Sequence, residues 1–178
     1  MNVLASNVIT KHKTRDPYKI AKQNGIMIIA EPLGKVCGYY NSINNKNFIH
    51  INESLPAYYR RYVVAHMLYR FFTNPADMLF LKEKTGLHFT DHEKRANAFA
   101  VNLLFDEQKV EQFENLDEYF AYHGLDSAAV QDLFARFEHI LNSKKPLFAM
   151  PGDLCSTCSR TNQLFYIIKK IKEIGEKI

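Results

Sequence analysis

The segment around His66 contains one residue of a zinc-hydrolase motif and lacks two others. In a His-Glu-x-x-His helix, two imidazoles at i and i+4 hold the metal, and the Glu acts as general base to the metal-bound water. Here the first His is His66, whereas Met67 stands at the Glu position and Arg70 at the second His position. A thioether cannot replace a carboxylate base, and a guanidinium that keeps its proton cannot be a metal ligand. These residues predict a helix with the geometry of the motif but without its general base and its second metal ligand.

Capping and turn signals predict the elements that position this helix. Asp16 as N-cap, Pro17 at the first position and Gly25 as the stop indicate a helix over residues 16–24. Three strands separated by Pro-Gly and Asn-rich turns are predicted over residues 26–30, 36–40 and 48–51. Ser54 and Pro56 then open the helix that carries His66 and continues to about residue 72.

The rest of the chain is predicted to be mostly helical. A helical segment is expected near residues 76–84, and Thr90 with Glu93 forms a capping-box signature for a helix through Leu104. Further helical segments are expected over residues 107–113, 117–122, 127–142 and 161–178. Residues 1–15 are predicted to be a flexible N-terminal segment because residues 10–15 are polar throughout. These elements indicate an α+β fold with a small three-stranded sheet.

Length and composition indicate one compact domain in a reducing compartment. The 178 residues, 47% of them hydrophobic, are enough for a single core and argue against disorder. No apolar run approaches the length of a membrane span, and the N-terminus lacks a secretory signal. Three Cys residues make no disulfide framework, which favours the cytoplasm. The net charge of +4 is best explained by dispersed Lys on solvated helices, so no direct nucleic-acid binding is expected.

Two groups of segments, one before and one after His66, carry a more specific pattern. The first group contains Gly25-Ile26, Gly38-Tyr39-Tyr40 and Ile49-His50-Ile51-Asn52. The second reads Glu93-Lys94-Arg95-Ala96-Asn97-Ala98-Phe99-Ala100, followed by Leu103-Leu104. In this order they resemble the ImmA/IrrE-type metallopeptidases of bacteria and their mobile elements. The resemblance covers roughly residues 16–110 and implies a zincin-like helical core with additional C-terminal helices. Expected boundaries are residues 16–142 for the domain and 143–178 for a loop and an amphipathic helix packed on it.

The resemblance implies a vestigial metal site. In the family, zinc is bound by the two His residues and by a Glu on the later helix, positions that correspond here to His66, Arg70 and Glu93. It also implies that Asn97 is the hydrogen-bond partner of the Glu93 carboxylate. With Met67 at the general-base position, no catalytic residue remains. Arg70 is expected to take the place of the ion opposite Glu93, so no cofactor is expected. The alternative is zinc bound by His66 and Glu93 with displaced ligands.

Other residues offer weaker candidates for metal binding. His88 and His92 precede Glu93, but neighbouring helix positions diverge by about 100°, so His92 and Glu93 cannot easily share an ion. Glu93 also has the simpler interpretation of a capping-box residue. His50 lies between two apolar residues of its predicted strand, so its side chain should point to the opposite face of the sheet from theirs. Cys155 and Cys158 form a lone CxxC without a second pair, which is more typical of an exposed loop than of a zinc or redox site.

The sequence favours a protein that acts by binding. It predicts a pseudo-metallopeptidase of a mobile element or phage that binds a helix-turn-helix repressor, or another regulatory protein, without cleaving it. The alternatives are an active metallopeptidase with a rebuilt zinc site that cleaves a repressor, and a structural role unrelated to repressors. Residues 117–137 have the spacing of a helix-turn-helix, but one Arg in the second helix offers few contacts to DNA, so a helical hairpin of the core is favoured.

Overall fold

The fold is α+β, as predicted from the sequence. The computed structural model describes residues 3–73, 79–82, 91–123, 125, 165–166, 168–170 and 172–173. In chain order the elements are α1 (Val3–His12), α2 (Pro17–Gln23), β1 (Ile26–Glu31), β2 (Val36–Ile43), β3 (Lys46–Asn52), α3 (Ala57–Thr73), β4 (Leu79–Lys82), α4 (Asp91–Leu104), a 3-10 helix (Glu107–Gln112) and α5 (Leu116–Tyr122).

Local capping chemistry sets the bounds of α2 and α3. The Asp16 carboxylate accepts a hydrogen bond from the Tyr18 backbone at 3.0 Å, and the chain leaves α2 through Gly25 at φ +67°. Before α3, the Asn52 side chain accepts hydrogen bonds from the backbone nitrogen and the hydroxyl of Ser54. The Pro56 carbonyl then accepts the first backbone bonds of the helix. Both helices therefore begin within a few residues of their predicted starts.

The four strands are ordered β1-β3-β2-β4. β1 pairs parallel with β3, whereas β2 pairs antiparallel with β3 and β4. The turn between β2 and β3 places Asn44 and Asn45 at φ +51° and +61°, which Asn tolerates better than most residues and which suits a two-residue hairpin. The three predicted strands are present.

The fourth strand corrects the prediction of a helix near residues 76–84. Within that range, Leu79–Lys82 forms β4, in register with β2 through the pairs Tyr40 with Leu79 and Gly38 with Leu81. A short apolar run has no periodicity that distinguishes a strand from a buried helix, and the unpaired edge of β2 decides the outcome. The remaining residues of the predicted segment lie outside the described part of the chain.

The N-terminal segment also differs from the prediction. Residues 3–12 form α1 rather than a flexible start, with Ala5 and Val8 buried against the core. α1 contacts α4, so its order comes from tertiary packing and not from a strong local pattern. After α1, the Arg15 guanidinium donates to the carbonyl of Asn102 at 2.8 Å and pairs with Asp106 at 3.3 Å, which ties this segment to the end of α4.

The sheet and α3 approach each other closely at Gly38 on β2. A Cβ at this position would lie 2.6 Å from Val63 Cγ1 of α3 and 2.6 Å from the His50 carbonyl oxygen of β3. The absence of a side chain therefore lets α3 lie directly on the sheet. On its other side α3 packs on α4, where Ala96, Ala98 and Ala100 are fully buried. This packing brings the side chains of α3 and α4 together.

The C-terminal elements pack on the end of α4. Tyr119 and Phe120 of α5 are fully buried, as is Ile168, one of the helical residues described between positions 165 and 173. Lys172 donates to the Phe105 carbonyl at 3.0 Å. The predicted helix over residues 127–142 and the predicted loop with Cys155 and Cys158 lie outside the described residues. None of the helices in the described ranges is both long and apolar enough to cross a membrane.

Candidate functional site

One face of α3 carries three buried polar residues at intervals of one helical turn. Tyr62, His66 and Arg70 are spaced four residues apart, so they lie above one another on the same face. Each is at most 3% exposed. Glu93 and Asn97 have the same spacing on α4, and they face this row. The site is therefore formed by two helices packed side by side, with no contribution from a flexible loop among its described members.

Asn97 orients His66. Its Oδ1 accepts a hydrogen bond from the Tyr62 hydroxyl at 2.6 Å and lies 2.9 Å from His66 Nδ1. An acceptor at this position requires the proton of the neutral imidazole on Nδ1, which leaves a lone pair on Nε2. The prediction that Asn97 partners the Glu93 carboxylate is wrong: its Oδ1 faces α3, and its Nδ2, the donor that a carboxylate would need, makes no hydrogen bond among the described residues.

Arg70 and Glu93 form the predicted ion pair between the helices, through Arg70 Nη2 and Glu93 Oε1. Arg70 Nη1 lies 2.8 Å from His92 Nδ1, so the guanidinium contacts two residues of the first turn of α4. The Arg70 side chain is 3% exposed, whereas that of Glu93 is 21% exposed. The pair therefore has its cation in the interior and its carboxylate at the edge of the site.

The remaining contact joins His66 to Glu93. His66 Nε2 lies 3.3 Å from Glu93 Oε2. Burial, followed by the positive charge of Arg70, lowers the pKa of His66 to about 3, although the Asn97 hydrogen bond acts in the opposite direction. The imidazole is therefore neutral near pH 7, and this contact is not an ion pair. Instead, the His66 lone pair and the Glu93 carboxylate converge beside the Arg70 guanidinium.

The residues present do not fit a resident zinc ion. A site for catalytic zinc supplies three ligands and one open position. Here Glu93 is bound by a guanidinium at the position where the motif would supply the second His. If a dication lay about 4 Å from that charge, their repulsion would be roughly 8 kcal/mol at an effective dielectric of 20. Within the described ranges, no group of three His, Cys, Asp or Glu side chains is placed to hold a metal.

The other candidate residues lie elsewhere or serve other contacts. His92 contacts Arg70, and its ring packs edge-on against Tyr69 at 5.1 Å. His50 Nδ1 lies 2.6 Å from Glu31 Oε1, and its ring stacks on Tyr39, so it belongs to the sheet surface. His88, Cys155 and Cys158 lie outside the described residues. Met67 is buried at 1% exposure and has no proton-accepting group.

Sequence reasoning missed two members of the cluster. Tyr62 donates to Asn97, and its position four residues before His66 is the signal that would have identified it. The contact of His92 with Arg70 was also missed. The position of His92 beside Glu93 suggests a ligand that would share an ion, whereas a long guanidinium can contact two adjacent residues of a helix turn.

Comparison with known proteins identifies the same family that the sequence motifs resemble. An uncharacterized immunity region protein 2 of Bacillus phage phi105 is 33% identical over 112 residues, which cover 62% of this chain and 71% of the phage protein. No solved structure gives a significant match. The profile of the peptidase family described as the IrrE N-terminal-like domain matches residues 21–138, a range that includes the sheet, α3 and α4. The chain therefore belongs to the ImmA/IrrE family.

Proposed function

We propose that this chain is a pseudo-metallopeptidase that binds a regulatory protein of a phage or other mobile element without cleaving it. The observation that supports the proposal is the buried Arg70–Glu93 pair, formed by two residues at positions that correspond to metal ligands in the resemblance. Met67 removes the general base, a change that costs on the order of 10²–10⁴ in rate where such a base acts. The scaffold is nevertheless intact, because Tyr62, Asn97 and His66 remain hydrogen-bonded.

A packed site of this kind suits recognition better than catalysis. Its hydrogen bonds and its ion pair join side chains of α3 to side chains of α4, so they give the two helices a fixed relative position. The phage relative is named as an immunity region protein, which supports a regulatory setting. We infer a helix-turn-helix repressor as the partner because active members of the family are understood to act on such proteins. In this proposal the chain keeps the docking function and lacks the hydrolytic step.

An active enzyme with a rebuilt zinc site is the second candidate. The observation that favours it is the convergence of His66 Nε2 and Glu93 Oε2, two potential ligand atoms 3.3 Å apart. It would require Arg70 to leave Glu93 and other ligands to enter. The two candidates therefore differ in metal content and in whether the partner is cleaved.

Both properties are measurable with the purified 178-residue chain. It should contain far less than one zinc per chain by elemental analysis. It should also bind a helix-turn-helix repressor of the same phage or mobile element in calorimetric titration, while mass spectrometry finds the repressor uncut. A matched control is His66→Ala: about one zinc in the parent that is lost in this variant, together with new repressor termini, would establish the enzyme instead. Failure to bind any repressor from the same element would favour a structural role and contradict the proposal.

A further inference from the structure

A basic surface lies at the start of α3, where this helix packs on α2 and meets the end of α4. Its cations are Arg15, Arg60, Arg61 and Lys109. Arg60 and Arg61 act on Tyr18 of α2: burial raises the Tyr18 pKa, and the two guanidinium groups oppose that shift. Both cations of α3 therefore lie near α2, although they are adjacent in the chain.

His123, which follows α5, connects the remaining cations to this surface. Burial, followed by Arg61 and Arg15, lowers the pKa of His123 to about 4, and Lys109 acts in the same direction. Since Arg61 acts on both Tyr18 and His123, the four cations form one surface. The hollow between Arg61 and His123 has room for about one water molecule, so a partner would lie on the surface and not enter it.

Two of the cations already have contacts within the fold. The Arg15 guanidinium pairs with Asp106 at 3.3 Å. The Lys109 ammonium lies 3.5 Å from the Tyr122 hydroxyl and 5.5 Å from the centre of its ring. These two side chains therefore contribute to the positive potential of the surface more than to direct contacts with a partner.

The two cations of α3 have no such contacts. Among the described residues, neither Arg60 nor Arg61 has an ion-pair partner, and the buried Nε of Arg60 makes no hydrogen bond. Asp16, the carboxylate that also acts on Tyr18, accepts the Tyr18 backbone N–H as the N-cap of α2. Arg61 is exposed to solvent. Each guanidinium fork matches one carboxylate, so the surface offers two positions for carboxylates.

We infer that this basic surface binds a short acidic segment of a partner protein, with one carboxylate on Arg60 and another on Arg61. The ring of Tyr122 is 59% exposed beside Lys109, so it provides an apolar contact for a side chain next to those carboxylates. The inference is independent of the proposed function, because it involves no residue of the polar cluster and does not require the partner to be a repressor.

The charges favour a segment of protein over nucleic acid. Proteins that bind duplex DNA through its backbone contact several phosphates, often about 6–10, whereas this surface has two guanidinium groups that are not already paired. In addition, Glu118 lies one turn before Tyr122 on α5, and Glu114 and Asp117 are exposed near it. These carboxylates would repel a long polyanion that continued past Tyr122, but not a short segment that ends at the two guanidinium groups.

A peptide that contains Trp is a suitable probe, because the chain itself has no Trp and the probe alone then gives the fluorescence signal. The acidic probe is acetyl-Glu-Asp-Trp-Glu-Asp-amide, and the matched control without charge is acetyl-Gln-Asn-Trp-Gln-Asn-amide. Titration with the 178-residue chain should raise the fluorescence anisotropy of the acidic peptide to a plateau. The uncharged peptide should bind at least about tenfold more weakly, since it makes no charge-assisted hydrogen bonds. Equal affinity for the two peptides would overturn the inference.

Charge-matched variants locate the contact. The double variant Arg60→Gln with Arg61→Gln should weaken binding of the acidic peptide at least about tenfold. Lys46→Gln with Arg95→Gln removes the same charge from exposed positions on β3 and α4 and should change the affinity by less than about twofold. Equal weakening by both double variants would show that net charge attracts the peptide, and would contradict a local site. Arg61→Gln alone, at an exposed position, should weaken binding about two- to fivefold, and an unchanged affinity would also overturn the inference.

Competition identifies the class of partner. Acetyl-Glu-Asp-Phe-Glu-Asp-amide, which lacks the fluorophore, should displace the Trp peptide. A DNA duplex of about 20 base pairs should displace it only at a higher concentration of binding sites, because its phosphates exceed the guanidinium groups that are not already paired. Displacement by the duplex at a lower concentration than by the acidic peptide would assign the surface to nucleic acid and overturn the inference of a protein partner.

Discussion

His66 Nε2 lies 3.3 Å from Glu93 Oε2, although neither atom carries a hydrogen when the imidazole is neutral with its proton on Nδ1. Two electron-rich atoms at this distance repel each other unless a positive charge is nearby. Arg70 provides that charge, because its guanidinium contacts the same carboxylate. The three residues therefore depend on one another, and the cation determines whether the other two remain together.

Removal of one member of the Arg70–Glu93 pair should be strongly destabilising. Loss of one partner of a buried pair costs roughly 3–5 kcal/mol because the other charge is left uncompensated. Glu93→Met leaves the nearly inaccessible Arg70 guanidinium unpaired, whereas Arg70→Met leaves a carboxylate that reaches solvent. Glu93→Met should therefore cost more. Urea unfolding gives both values, and the double variant should cost less than their sum.

The control for this cycle is Arg95→Met, which removes an exposed cation from α4. It should change the free energy of unfolding by no more than about 0.5 kcal/mol. If the effects of the two pair variants simply add, the residues are not coupled, and the proposed replacement of an ion by Arg70 is wrong.

Repair of the ligand set should restore zinc binding. Arg70→His supplies an imidazole beside His66 and Glu93, so this single variant should bind zinc in a calorimetric titration. Met67→Glu alone keeps the guanidinium and should bind none. The double variant should bind zinc and also carry the general base. Hydrolysis is a weaker expectation because catalytic geometry must hold within about 0.5 Å.

The outcome of this titration tests the geometry of the site. A folded Arg70→His variant without zinc affinity would mean that α3 and α4 have moved apart beyond a single-residue repair. Zinc binding by Met67→Glu would mean that Arg70 does not exclude the metal.

Burial of neutral His66 should make stability depend on pH in a defined window. Its pKa is about 3 in the folded chain and near 6.5 when unfolded, so between these values the unfolded chain binds a proton that the folded chain does not. Stability should therefore fall as pH decreases from 6.5 towards 3, by up to about 1.4 kcal/mol per pH unit from this residue. Urea unfolding at several pH values should show a shallower slope for His66→Gln. An unchanged slope would mean that His66 is protonated in the folded state.

Gly38→Ala should destabilise the contact between α3 and the sheet. The added Cβ would lie 2.6 Å from both Val63 Cγ1 and the His50 carbonyl oxygen, and overpacking of this kind typically costs about 1–3 kcal/mol. Val63→Ala in the same chain removes only the side-chain clash. In thermal or urea unfolding, the combination should therefore relieve part of the Gly38→Ala penalty. Full relief would show that the backbone of β3 moves away from the added Cβ without a cost in stability.

The sequence predicts those parts of the fold that carry local signals. The helix from Pro17 begins and ends at its capping residues, and the strands on either side of the Asn44-Asn45 turn follow from its chemistry. In contrast, α1 and β4 depend on partners distant in the chain: α1 packs on α4, and Leu79–Lys82 completes an edge of β2. The composition of the two segments does not identify the elements on which they pack.

The same distinction applies to the site. Motif positions identify Arg70 and Glu93 as facing residues, because the positions that bind one ion must converge. They do not reveal that Asn97 turns towards His66, since the choice between two hydrogen-bond partners depends on the rotation of α4 relative to α3. The contact of His92 with Arg70 depends on the same rotation.

In the proposed site the covalently attached Arg70 guanidinium takes the place of an ion, so the fold would not depend on metal supply. An ion that bridges two helices is an exchangeable component, and its occupancy follows the free concentration in the cell. A side chain in the same place is present at one copy per chain under every condition. The α3–α4 contact should therefore persist under zinc starvation and in the presence of chelators, which would strip a metal-dependent relative. In a host that restricts zinc, this chain would keep its shape while such a relative loses its activity.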